Sequence, residues 1–186
     1  TGAGFGGSED SYSSFGLEPL VSAGTGFSRG IELSVRKKLS EVPCYGFFSL
    51  SLSETRYTAL DGIERSSAFD QRVIFNTGGG YLFSPNWEIS AKFRLATGRP
   101  YTPFNPDGTK SPDRYNGERL ATNHSLDLRL DRRWFFNTWT LIGYIDIQNI
   151  YNNKASGPPT YDARTGKLEQ NDSIGLLPTI GISAEF

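Results

Sequence analysis

Residues that could do covalent or metal chemistry are scarce in this chain. It has one histidine and one cysteine in 186 residues. His124 stands beside Ser125, but neighbouring residues of a strand point to opposite faces, so the two make a poor nucleophile–base pair. His124 reads instead as a surface or interfacial side chain. Cys44 is alone, cannot close a disulfide within the chain, and reads as an incidental turn residue. Gly78, Gly79 and Gly80 lack the helix and lysine that make a phosphate-binding loop. No cluster with metal-ligand spacing stands out. The expectation is a protein that is not an enzyme and needs no cofactor or metal.

What the sequence does offer is charge at a spacing of two. Lys92 and Arg94 alternate with apolar residues, as do Asp127, Arg129 and Asp131, and then Tyr144, Asp146 and Gln148. On strands, that spacing gathers each set on one face, where opposite charges can pair across neighbouring strands. The chemistry is that of a polar wall in contact with water. Facing lipid it would be untenable, because a cation at the bilayer midplane costs about 2–4 kcal/mol. In a membrane barrel these eight residues form a lumen-facing ladder, and its expected role is mainly structural.

The elements that must position them are strands. Ile31, Leu33 and Val35 alternate with Glu32, Ser34 and Arg36 in 30–39, and Phe48, Leu50 and Leu52 with Ser49, Ser51 and Ser53. A third strand over about 70–83 is less regular, because Ile74 shares a face with Arg72 and Asn76, and its three glycines permit bending or close packing. Trp87, Ile89, Ala91, Phe93 and Leu95 form the next apolar face, then Leu126, Leu128 and Leu130, then Trp139, Leu141, Gly143, Ile145 and Ile147. The last strand sets Ile180, Ile182, Ala184 and Phe186 against Thr179, Gly181, Ser183 and Glu185. Seven strands result, with 1–25 left as loop or tail.

Connections alternate between short (near 43, 85 and 137) and long (about 55–69, 98–120 and 151–174), as in membrane barrels with short periplasmic turns and long outer loops. Aromatic residues cluster at both strand ends. Tyr45, Phe47, Phe83, Trp87, Trp134, Phe135, Phe136, Trp139 and Phe186 sit by the short turns; Tyr57, Phe69, Tyr101, Phe104 and Tyr151 sit by the long loops. Two such girdles are expected at the two membrane interfaces. The 14 positions from Trp87 to Tyr101 rise about 35 Å at a tilt of about 40°, enough for an apolar band of about 25 Å.

Composition agrees with a one-sided β architecture. Hydrophobic residues are only 37%, while aromatics reach 13% and glycines number 21, which is unlike disorder. No apolar run approaches the ~20 residues of a membrane helix. A negative mean hydropathy is what alternating barrel strands produce. A net charge of −1 gives no reason to expect a nucleic-acid partner. The chain starts at Thr1 without a basic, apolar leader and without methionine, so a truncated or processed start is expected. A soluble up-and-down barrel would need its apolar residues inside and its charges outside.

Six segments in order carry a resemblance: GIELSVRKKL (30–39), FDQRVIFN (69–76), WEISAKFRLATGRPYTPF (87–104), LDLRLDRRWFF (126–136), YIDIQNIYN (144–152) and LPTIGISAEF (177–186). With them the chain resembles the C-terminal barrel region of TonB-dependent outer-membrane receptors over most of 25–186. The resemblance implies a fold: an all-β, antiparallel up-and-down transmembrane segment of about seven strands, part of a 22-stranded barrel with a plug. It also implies a cell outer-membrane location with a periplasmic C-terminus, and import of a metal chelate, a cobalamin-like cofactor or an oligosaccharide. Its implied partners are outer-membrane lipid, the remaining strands and plug, the barrel assembly machinery, and TonB through the N-terminal part.

Thr179, Gly181, Ala184 and Phe186 also resemble the C-terminal signal read by the assembly machinery, in which an unpaired strand offers its backbone edge. Tyr101, Phe104 and Tyr115 are the first candidates for external contacts in the loop 98–120, since binding residues favour loops. An alternative is a self-contained eight-stranded anchoring or adhesive barrel. It would take its eighth strand from 12–22, where Phe15, Leu17 and Val21 share a parity that Pro19 interrupts.

Overall fold

The computed structural model describes residues 23–110, 112–170 and 172–186. The tail 1–22, including the eighth strand considered for 12–22, lies outside the described residues.

The alternating segments become one antiparallel sheet. Its long strands are β1 (Thr25–Lys37), β2 (Cys44–Thr58), β4 (Val73–Ser84), β5 (Trp87–Ala96), β8 (Asn123–Phe135), β9 (Thr140–Gln148) and β12 (Leu177–Glu185), each paired with the next. A short strand, β3 (Glu64–Ser66), folds back on β2. Two small hairpins stand apart: β6 (Pro100–Tyr101) with β7 (Glu118–Arg119), and β10 (Thr160–Asp162) with β11 (Lys167–Glu169). Among the described residues there is no α-helix; the one helical turn is a 3-10 turn at Pro112–Arg114.

Several boundaries move. β1 starts at Thr25, inside the segment expected to be tail, and ends at Lys37. β2 runs on to Thr58, four residues into the stretch read as loop. The cause is register: Thr25 through Lys37 pair without interruption with Thr58 through Gly46, so Ser and Thr positions without a strong pattern are held by the ladder. The loops 98–120 and 151–174 are not featureless, since each carries one of the small hairpins.

Register decides which side chains share a face, because a shift of one residue would turn a whole strand over. Here it holds the apolar set together from edge to edge. Leu33 pairs with Leu50, Leu50 with Phe75, Phe75 with Leu95, Ala91 with Leu128, Leu128 with Ile147, and Ile145 with Ile180. Phe48, Phe75 and Phe93 form a row across three strands with ring centroids 5.3 and 6.0 Å apart. The opposite face runs from Ser49 and Asn76 through Arg94, Ser125 and Asp127 to Asp146 and Thr179. Ile74 and Ile142 fall on this polar face, Ile142 being buried there.

Sequential antiparallel pairing puts 38–43, 85–86 and 136–139 at one end of the sheet and 59–72, 97–122 and 149–176 at the other. At the short-turn end Asn86 stitches the β4–β5 turn to β8: its side chain donates to the Arg133 carbonyl (2.8 Å) and its carbonyl accepts the Arg133 N–H (2.7 Å).

Candidate functional site

The charged residues singled out in the sequence meet on the polar face. Lys92, Arg94, Asp127, Arg129, Asp146 and Gln148 line a groove of about 380 Å³ together with Tyr45 and Phe47. Strand alternation puts them there, and the register brings β5, β8 and β9 to the same height: Lys92 opposite Asp127, Arg129 opposite Asp146, Asp131 opposite Tyr144.

Their pairing is less regular than a ladder of directly opposed charges. Arg94 bonds Asp127 across strands (2.9 Å), one step diagonal to the register. Arg129 turns along its own strand and is held by Asp131 through three hydrogen bonds of 2.7–3.0 Å. The guanidinium of Arg129 also lies 3.9 Å from the ring centre of Tyr144. Asp146 accepts from Gln148 at 3.5 Å. Lys92 is exposed and has neither an ion pair nor a side-chain hydrogen bond among the described residues, so the cross-strand pairing expected of it is not made.

A second charged group escaped the sequence reading. Glu88, buried, accepts from Arg133 (2.6 Å) and from the hydroxyl of Tyr45. Tyr45 and Phe47 therefore belong to the polar face, not to the aromatic girdle assigned to them. Their cross-strand partners explain why. Phe47 covers Gly78 and Tyr45 covers Gly80, where a methyl group would lie 2.6 Å from the phenol oxygen. Gly78 and Gly80 are slots for rings and Gly79 lies close to the Tyr45 backbone, the close-packing role open to the run. Tyr57 also departs from the girdle: it is buried on the polar side with its ring edge-on to Tyr115, 6.5 Å away. By contrast Trp139 stacks on Phe136 (4.4 Å) and on Phe186 (6.1 Å) at the short-turn end.

The long-loop end is knit by a carboxylate that no alternation could reveal. Asp70 is 1% exposed and accepts from the Thr55 N–H (2.7 Å), Arg72 (2.8 Å) and Arg119 (2.5 Å). Burial pushes its carboxyl up, but the Thr55 amide and the two arginines outweigh that and hold it below the ordinary Asp value. Arg119 also reaches the carbonyls of Asp70 and Gly98, and Asn116 bonds the Ser66 carbonyl (2.8 Å). Loops 59–72 and 97–122 are thus one body.

The motif ATGRPYTPF has a physical reading in this setting. Gly98 passes so close to Leu120 that any Cβ would meet its carbonyl oxygen at 1.7 Å. The motif DIQNIYN does likewise. Asn149, left-handed at φ 53°, bonds the backbone of Asn153 twice, and its own N–H reaches Asp127.

The three loop candidates are engaged within the protein. Tyr101 donates to Glu118 (2.7 Å), which raises its phenol above the ordinary value, with burial adding to the effect. Phe104 packs against Tyr161, and Tyr115 against Tyr57. All three are half-buried, so they hold loops to loops and to the sheet. His124 shares the apolar face with Leu95 and contacts the Tyr151 hydroxyl (2.8 Å); Ser125 opposes Arg94 on the other face. Of the terminal pattern, Thr179 and Gly181 lie on the polar face against Asp146 and Tyr144, while Ala184 lies opposite Leu141 and Phe186 beside Trp139.

Comparison with protein-family models, with curated proteins and with solved structures finds no match in any of the three.

Proposed function

We propose that this chain is the C-terminal strand set of an outer-membrane β-barrel of the TonB-dependent receptor type. One observation carries the membrane part: the sheet is apolar on its exposed face and charged on its sheltered one. Ile180, Ile182 and Ile31 are 82%, 78% and 74% exposed, whereas Glu88 and Asp131 are each 6% exposed. Water would reverse that arrangement; lipid outside and a polar lumen inside favour it. The seven long strands among the described residues fall short of the even counts of eight or more in bacterial barrels, which supports further strands closing against β1 and β12. The receptor assignment rests on the six ordered segments named above. It makes the knit long loops the outer face and the C-terminus periplasmic. The intact protein then imports a scarce nutrient, a metal chelate, a cobalamin-like cofactor or an oligosaccharide, energised through TonB.

The test is spin labelling of the full-length protein in its membrane, with Cys44 replaced. Ile180→Cys and Ile182→Cys labels should be relaxed by oxygen dissolved in lipid, and Thr179→Cys by a water-soluble nickel chelate. The reverse pattern overturns the membrane reading. Nutrient uptake unaffected by loss of TonB would remove the receptor assignment and leave the barrel.

A further inference from the structure

The C-terminal strand has little to grip. Of the nine residues of β12, only Thr179 and Gly181 are half-buried, and both meet β9 on the polar face. Thr179 Oγ1 donates to the Asp146 carbonyl at 3.3 Å. Gly181 stands opposite Tyr144, whose ring lies flat across it: a Cβ at 181 would be 2.3 Å from the phenol oxygen and 2.4 Å from Cζ.

A free ring would swing away from a methyl group at little cost, but this one is backed. Arg129 stacks on it at 3.9 Å, and three hydrogen bonds to Asp131 hold Arg129 in place. The slot is also selective for register. A slip of two residues would bring Thr179 or Ser183, each with a Cβ, beneath the ring, and a slip of one would turn every side chain over. The same device recurs inside the sheet, where Tyr45 covers Gly80 and is fixed by Glu88. No terminal strand is read at that place, so the device is a property of how this sheet locks neighbouring strands.

We infer that Tyr144 is the positioning residue that reads the terminal strand from within the chain, accepting glycine alone at 181 and thereby setting the register in which β12 joins β9. The glycine of the terminal pattern is then required by β9 rather than by an outside receptor. The role in membrane assembly rests on the barrel reading; the slot itself does not.

The experiment compares full-length wild type with Gly181→Ala, Tyr144→Ala, Gly181→Ala/Tyr144→Ala and Gly181→Ala/Tyr144→Phe. Two readouts are taken: amide hydrogen exchange across 177–185 and the fraction migrating as folded, heat-modifiable protein. Gly181→Ala should cut amide protection about tenfold, the scale of one overpacked contact, and lower the folded fraction. Removing the ring should return the double variant to the level of Tyr144→Ala alone, while the phenylalanine double variant stays defective. A silent Gly181→Ala, or a defect that persists without the ring, overturns the inference. If wild type itself lacks heat-modifiable migration, the membrane reading falls and the exchange data still decide the slot.

Discussion

Asp70 and Asp131 are both nearly buried carboxylates held by arginine, yet they do different work. Asp131 is chelated by Arg129, two residues away on the same strand. The pair neutralises a charge on the polar face and steadies Arg129 against the Tyr144 ring, but the ion pair itself links no separate segments of the chain. Asp70 takes its three donors from Thr55, Arg72 and Arg119, which belong to β2, to the entry of β4 and to β7. Desolvation costs the same kind of energy in both places, but only at Asp70 does the repayment join separate segments. A buried ion pair therefore organises structure in proportion to the chain it spans, not to its Coulomb energy.

The sharpest way to break the contrast is Asp70→Ala. Two arginines and an amide lose their acceptor, a loss of about 3–5 kcal/mol confined to the long-loop end. Loops 59–72 and 97–122 should become open to protease and to hydrogen exchange while β8 and β9 keep their protection. Acid should do the same by degrees. A carboxyl held below its ordinary value contributes stability in full above that value, near 3.8, and loses it as pH falls through the lower folded-state value. Loop proteolysis followed downward from pH 6 should therefore stay flat until below about pH 4.

Gly98→Ala tests the same end through backbone contact instead of charge. The Leu120 carbonyl cannot retreat without shifting β7, so a cost of about 1–3 kcal/mol is expected, read as a lower unfolding midpoint. On the polar face Asp131→Asn should cost about 1.5 kcal/mol, because one acceptor for Arg129 remains. The smallest effect belongs to Arg94→Gln: its side chain is 47% exposed, so the pair with Asp127 should contribute no more than about 1 kcal/mol. An Asp131→Asn loss as large as that of Asp70→Ala would end the comparison.

The sheet was legible because its information is periodic. Leu126, Leu128 and Leu130 against Asp127, Arg129 and Asp131 announce a strand and both of its faces, and the observed register preserves that division. Pairing of individual charges was not legible, since whether Arg129 reaches Asp146 across the strands or Asp131 along its own depends on rotamers. Asp70 could not be read at all. It sits in a non-repeating stretch, and its partner Arg119 lies 49 positions further along the chain. Nearness to a turn does not fix a face: Trp139, Phe136 and Phe186 stack together at the short-turn end, whereas strand parity sets Tyr45 and Phe47, close to the same end, on the polar face.

The strictly sequential order of the long strands has a kinetic consequence. Each described long strand docks on its predecessor, so no pairing among these seven waits for a distant part of the chain, which is the low-contact-order route to a β-sheet. The gaps to be closed range from Pro85 and Asn86 alone to the 28 residues 149–176. By chain entropy that fourteenfold difference slows the last closure by only about 2 kcal/mol. Within that last gap the β10–β11 hairpin closes on itself and draws 160 and 169 together, shortening the effective tether that delivers the final strand.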